Sequence, residues 1–423
     1  MRNIIIAAII IGLFLGGIWI VRQRVGDVRP ALLPPRESIT GVSNIPSVGD
    51  TPSFPLKLPQ GFQIGIFAKN LGNARDLEFT SRGTLLLSIP ADGRVVALPD
   101  RDGNGVADSV IDVLTNLERP HGLAFYNGKL FVAEETQVVR YKWDEENLTA
   151  TKDKVLFSLP KGGRHFTRSI SFNPSASFGQ TQDRRSGQVG QMFVSIGSTC
   201  DVCFEKHEWL AGVIVSDEDG TSPRVWAKGL RNSVFITVNP QTGELWGTEM
   251  GRDWLGDNLP PDEVNIIKDG KDYGWPVCYG TRVHDTDFDK RAYIQIIPQL
   301  PCGTTEPPVY EIPAHSAPLG LTFIPSVREE QASLINSSQF PKEWQGDLLV
   351  SYHGSWNRST PIGYKVVRLD VEGNTVRGEE DFITDFLQGS QTLGRPVDLI
   401  FDKEGSLYIS DDKAGVVYKV INE

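Results

Sequence analysis

Two rhythms of hydrophobic residues divide the chain. From Ile4 to Val21 every residue is apolar or glycine, with Arg2 before the run and Arg22 and Arg24 after it. As a helix rising about 1.5 Å per residue the run reaches roughly 27 Å, close to the thickness of a bilayer core. Charged residues follow directly where a cleavable signal peptide would carry small ones, so residues 1–24 are expected to form a transmembrane helix. A cleaved signal segment is the competing reading. Both flanks carry similar positive charge, which leaves the orientation open. Residues 25–55 have no sustained apolar period and contain Pro30, Pro34, Pro35, Pro46, Pro52 and Pro55, the composition of an extended tether.

From Leu56 the period shortens to two. A short alternating strand, a turn with Gly, Asn or Pro, and a second apolar strand recur at Asp76–Ser88, Gly122–Ala133, Ser169–Phe172 rejoined at Gln191–Ser195, Phe235–Trp246, Gly320–Phe323 rejoined at Gly346–Ser351, and Asp398–Ser410. Each is a hairpin signal, and a third apolar strand follows at Arg94–Leu98, Gln137–Tyr141 and Val416–Val420. Long amphipathic helical stretches are absent. Self-similarity at about 61 residues per unit is the signature of a radial array of sheets. The pattern therefore predicts an all-β fold, a six-bladed β-propeller with four-stranded blades over residues 56–423. An irregular β-sandwich would seldom repeat strand, glycine turn and strand so often in the same order. Spacing widens in blades 3 to 5, and these insertions are expected to mark the functional face.

Charge and cysteine content narrow the function. With 42 Lys plus Arg against 53 Asp plus Glu, the formal net charge is -11, which offers nucleic acid no cationic footprint. The 4 cysteines, Cys200, Cys203, Cys278 and Cys302, follow an export segment. They are expected to pair as Cys200–Cys203 and Cys278–Cys302 in an oxidising compartment, which places the propeller on the periplasmic or extracellular side. Zinc held by Cys200, Cys203 and His207, or free thiols, are the alternatives. Covalent haem would need His where the chain has Phe204. Asp100, Asp102, Asn104, Val106 and Asp108 surround Gly105 with the spacing by which one loop wraps calcium. The Glu that completes a helix-loop-helix sensor is replaced by Ile111, so a structural clip between strands is expected, with a plain Asx-rich turn as the alternative.

Seven segments carry a resemblance. Gly162–Ser169, Gly229–Asn232, Thr248–Arg252, Asp272–Pro276, Ala314–Gly320, His353–Arg358 and Gly394–Val397 resemble, in order, motifs of the glucose/sorbosone dehydrogenase family. These are six-bladed propellers that depend on pyrroloquinoline quinone (PQQ), and the chain looks most similar to the L-sorbosone dehydrogenase branch. The resemblance implies PQQ and Ca2+ as cofactors, a small-molecule sugar or aldehyde substrate, and an unidentified electron acceptor.

A quinone with three carboxylates bound to an acidic chain requires a local cationic cluster, and Arg suits planar carboxylates. The resemblance implies that Arg231 and Asn232 hold the quinone end and Arg395 a carboxylate, with Arg168, Arg358 and Lys365 as further candidates. Main-chain oxygens of Gly251 and Arg252 would hold the catalytic calcium, a Lewis acid for the quinone carbonyl. His165 would be the general base, with Arg231 as its catalytic partner. Arg164 stands where glucose-oxidising members have an acidic residue, which argues against glucose itself as substrate. His121 and His315 occupy equivalent loops and are expected at the same mouth. Two other classes remain: a non-catalytic binding propeller, and a calcium-dependent lactonase, which needs carboxylates and amides converging on a metal.

Overall fold

The computed structural model describes residue 52 and residues 54–173, 190–291, 301–326 and 340–422. The expected transmembrane helix and most of the tether lie outside the described residues; among those described, no helix is long and apolar enough to cross a membrane. Six antiparallel sheets form the body, five of four strands and one whose four antiparallel strands gain Lys271–Asp272 as a short parallel fifth. Their innermost strands are Leu77–Phe79, Gly122–Tyr126, Arg168–Phe172, Ile236–Val238, Pro318–Phe323 and Pro396–Phe401. These six touch in cyclic order, the last returning to the first, so the fold is the expected six-bladed β-propeller.

All six hairpins form. At Gly122–Ala133 the turn residues Asn127 and Gly128 both have positive φ, 49° and 70°, the geometry a two-residue hairpin turn prefers. The sixth blade closes differently from the others. Its outer strand is Phe62–Ala68, from the start of the propeller, which pairs antiparallel with Val416–Asn422 at the chain's end. Ile66, fully buried, packs there with Leu407, Ile409, Val416 and Tyr418.

Polar contacts lock blade to blade around the axis. Hydroxyls of Ser169, Thr248, Ser351 and Ser410 donate to the carbonyls of Val234, Leu319, Val397 and Arg75, each at or just before the next blade's inner strand. Carboxylates repeat the device: Asp76 accepts from Leu123 N, Asp262 from Ala317 N and Asp398 from Leu77 N. Gly122 and Gly320 begin or sit within inner strands where a Cβ would lie 2.4 Å from Arg168 O and 2.5 Å from Val397 O. Only glycine permits that approach.

The insertions of blades 3 to 5 divide between the two ends of the ring. Each inner strand starts at the end of the axis where the largest motifs gather and leaves at the other end. The long connections after Phe172 and after Phe323 therefore depart from the far end. The site is built by the turns between blades and by the loops of blades 3, 4 and 5 that join second to third strands, at 197–211, 250–261 and 353–364, so those blades do supply the functional face.

Candidate active site

A cavity of about 320 Å³ opens at that end. Gly163, Arg164, His165 and Phe166 reach it from the turn between blades 2 and 3, and Arg231 from the turn between blades 3 and 4. Met250, Gly251 and Asp253 come from the loop after Leu245–Glu249, His315 and Ala317 from the turn into blade 5, and Trp356 and Asn357 from that blade. The volume suits a small organic ligand.

His165 is fully buried, and its two ring nitrogens have different surroundings. Nδ1 lies 2.7 Å from Ser198 Oγ, which itself donates its one proton to the carbonyl of Cys200 at 2.7 Å. Ser198 can then only accept from the imidazole, which fixes the Nδ1–H tautomer and leaves a lone pair on Nε2. Among the described residues Nε2 has no partner. Burial first, then Arg231 and Arg164, holds the imidazole well below its ordinary pKa, so it stays neutral. Gly197 lies directly behind: a Cβ there would stand 2.6 Å from His165 Cβ.

Arg231 is held on every edge. Its Nε donates to Asp201 O at 2.8 Å, its Nη2 to Asp201 Oδ1 at 2.7 Å and its Nη1 to Met250 O at 3.2 Å. Asp253 joins it at 3.4 Å and also receives Arg164 at 2.5 Å and Asn357 Nδ2 at 3.0 Å. Burial raises Asp253 to about 6, against the pull of Arg231. Asp262 accepts from Gly251 N and Ala317 N, and burial raises it to about 7.

The sequence-derived candidates divide into three groups. His165, Arg231 and Gly251 line the cavity together, and His315 joins them as expected. Asn232 lies just behind, fully buried, with its N–H on Glu249. Arg395 stands on the blade 6 side, donating to Tyr364 Oη at 3.1 Å and lying 3.4 Å from His353 Nδ1. His353 in turn meets Asp412, which is shared with Arg75 at 2.9 Å; two nitrogens of buried Arg75, Nε and Nη2, have no partner among the described residues. The other cationic candidates are engaged elsewhere. Arg168 directs its guanidinium to the carbonyls of His165, Thr167 and Pro160, Lys365 pairs with Glu379 and Asp381, and Arg358 ties Ala314 and Asp257 main chains together. Arg252 turns its side chain to Asp285, leaving only its main chain as a candidate. His121 packs on the axis against Phe235, outside the cavity lining.

Both expected disulfides are present, Cys200–Cys203 and Cys278–Cys302, which removes the zinc and free-thiol alternatives. In the loop of Asp100 to Asp108, Asp100 and Asn104 accept from loop amides, as does Asp108 from Arg101 N. Among the described residues the one set of three metal-ligating groups of His, Cys, Asp or Glu within 4.8 Å of one another is Cys200, Cys203 and Glu205, whose cysteines are bonded to each other. Among the described residues no three carboxylates come together at this cavity. Ser198, Asp201, Asp253, Asp262, Arg119 and Trp356 were not legible as site residues; Trp356, Asp201 between Cys200 and Cys203, and Arg119 just before His121 had a signal, lying inside or beside segments already singled out.

Residues 56–423 match the protein family described as TrAA12-like. An uncharacterized protein of Borreliella burgdorferi is 28% identical over 400 residues, covering 90% of this chain and 95% of its own. The pyrroloquinoline quinone-dependent pyranose dehydrogenase of Coprinopsis cinerea is 24% identical over 435 residues, covering 87% of this chain. The match takes in 54% of that enzyme, so the chain spans about half its length. The calcium structure of a Trichoderma reesei carbohydrate-active enzyme of family AA12 superposes with a TM-score of 0.71 at 19% identity, covering 90% of this chain and 100% of that one.

Proposed function

The chain belongs to the TrAA12-like family, and from that premise we propose that it is a PQQ-dependent dehydrogenase oxidising a sugar, a sorbosone-like sugar aldehyde or a related alcohol. One observation carries the reading: a buried, neutral imidazole with its only free lone pair, His165 Nε2, unpartnered beside a cavity lined by arginines. The residues present fit PQQ. Arg119, Arg164 and Arg231 line the cavity, and Arg75 holds two unpartnered buried guanidinium nitrogens beside Asp412 on the blade 6 side, next to His353 and Arg395. Planar carboxylates match such forks.

Bound PQQ supplies a hydride acceptor, and calcium a Lewis acid for its carbonyl. His165 Nε2 takes the substrate's hydroxyl proton while hydride leaves the carbon that bears this oxygen, so proton and electron pair depart to different acceptors and a carbonyl forms. Ser198 keeps the receiving nitrogen free, and burial with Arg231 and Arg164 keeps it unprotonated. Arg231 offers a fixed positive charge to an anionic oxygen, and Asn232 braces the loop behind it. Main-chain oxygens of Gly251 and Arg252 would hold the cation, with Asp262 fixing the Gly251 amide. The Asp100 to Asp108 loop would hold a second, structural calcium. Two disulfides support an oxidising compartment, and the apolar run Ile4 to Val21 would tether the propeller there.

Titration of the calcium-loaded protein with PQQ, followed by absorbance, tests the reading together with steady-state turnover on a panel of sugars and sugar aldehydes. His165→Asn should lower turnover by roughly 100- to 10,000-fold and leave PQQ affinity near that of the parent. Arg231→Ala should weaken PQQ binding instead. No saturable PQQ binding by the parent would overturn the dehydrogenase reading, and full turnover in His165→Asn would overturn the base.

A further inference from the structure

Between the second and third strands of blade 3, Gln191–Ile196 and Gly212–Asp217, the chain makes a loop closed by the Cys200–Cys203 disulfide. Main-chain and side-chain groups of residues 198–201 hold the residues to which chemistry has been assigned. His165 N donates to Ser198 O at 3.3 Å and Arg164 N to Thr199 O at 3.0 Å, so the loop backbone seats the base. Ser198 N donates to Arg231 O at 2.8 Å, which seats the clamp beside it. The side chains repeat the arrangement: Cys200 O, within the disulfide ring, receives the Ser198 proton that fixes the His165 tautomer.

Asp201 sits between the two cysteines. Its carbonyl takes Arg231 Nε, and its Oδ1 takes both Arg231 Nη2 and, at 2.9 Å, the main-chain N–H of Asp253. One carboxylate oxygen therefore joins the disulfide-closed loop of blade 3 to Arg231 and to the loop of blade 4 that carries Gly251. Trp275 Nε1 also reaches the Asp201 carbonyl, at 3.3 Å. A ring this small removes little entropy from the unfolded chain, so its contribution lies in local geometry.

We infer that the disulfide-closed loop is the positioning element of this active site and that Asp201 is its positioning residue: it orients the Arg231 guanidinium, while the Cys200 carbonyl, through Ser198, sets which nitrogen of His165 is free. The inference rests on the proposed dehydrogenation for what the positioned groups do. The positioning itself can be read without it. Asp201→Asn keeps the shape and removes the charge; a Cys200→Ser, Cys203→Ser double variant opens the ring and leaves both carbonyls in place.

The test compares these two with the parent, using 15N NMR of histidine-labelled protein, with His165→Asn to assign the signal, PQQ titration with calcium, and the pH dependence of kcat. The parent should show His165 as the Nδ1–H tautomer. In the double variant that signal should move toward a mixture, and kcat should fall by about 100-fold, as for a misplaced reacting group. Asp201→Asn should weaken PQQ binding about tenfold, the loss of one charge-assisted contact. A merely structural disulfide would lower Tm and leave the tautomer, the affinity and the pH profile of the folded protein unchanged, and that result would overturn the inference. Should the double variant fail to fold, folded parent with Cys200 and Cys203 reduced and alkylated gives the same readouts. A parent that binds no PQQ would sink the functional reading alone, because the tautomer still decides this one.

Discussion

At the scale of single residues the site depends on what each polar atom is already bonded to. His165 Nε2 is available because Ser198 occupies Nδ1, and it is basic rather than charged because burial, Arg231 and Arg164 oppose protonation. A histidine whose pKa is lowered in this way keeps its lone pair below its ordinary titration range. In the PQQ-loaded enzyme kcat/KM should therefore stay level from about pH 8 to about pH 6 and fall only on further acidification. Arg164→Gln, which removes one opposing charge, should move that acid limb to higher pH. An unmoved limb would mean that another group is titrating. The same reasoning explains why Arg168, Arg358 and Lys365 could not be judged from the chain alone: a guanidinium or ammonium is identical in sequence whether its donors face a ligand or, as here, backbone carbonyls and acidic neighbours.

At the scale of elements the propeller is a ring of hairpins held together by side-chain contacts across blade boundaries. The hydroxyl and carboxylate contacts from one blade to the next need the inner strands close, and Gly122 and Gly320 make that possible. Gly320→Ala should lower stability by about 1–3 kcal/mol, the usual cost of forcing extra volume against fixed backbone, read as a fall in Tm. Gly373 is the matched control: it sits in a turn with a positive φ of 60°, and its added Cβ would meet nothing within 4 Å, so Gly373→Asn, compatible with that φ, should change Tm little. Equal effects at the two positions would remove the crowding argument. Hairpins were legible because their turns and alternation are local, as Asn127-Gly128 illustrates. The pairing of Phe62–Ala68 with Val416–Asn422 was not, since nothing in either strand names a partner at the other end of the chain.

At the scale of the whole molecule, the closed ring buries carboxyl groups that have little water. Burial raises Glu249 to about 8 and Asp262, Glu263 and Asp411 to about 7. A group whose folded pKa is raised contributes stability at pH values below its unfolded pKa, and that contribution is lost as pH climbs through the folded value. Buried His121, His165 and His353 run the other way, losing stability as pH falls below about 6.5, so above that pH the carboxyls act alone. Tm of the metal-free protein should fall between about pH 6.5 and 8.5; a rising Tm would mean that these carboxyls are already ionised in the fold. Calcium offers a separate check on the outer loop. It should raise Tm by preferential binding to the folded state, and Asp102→Ala should reduce the rise. An identical rise in that variant would assign the loop to a plain Asx-rich turn, which its internal hydrogen bonds also satisfy.

The amino-acid sequence by itself determined the all-β class, the sixfold repeat, and a short set of segments in which His165, Arg231 and Gly251 stood out, and it favoured the cysteine pairs that the fold then closed. These are properties of local pattern, of residue chemistry and of motif order, all of which survive in one dimension. Tertiary structure alone decided the rest: which end of the ring carries the site, which arginines face it, and how Ser198, Asp201 and Asp253 converge on the base from loops far apart in sequence. The physical reason is that hydrogen bonds and ion pairs act over about 3 Å in space, and separation along the chain says little about that distance until the blades have closed.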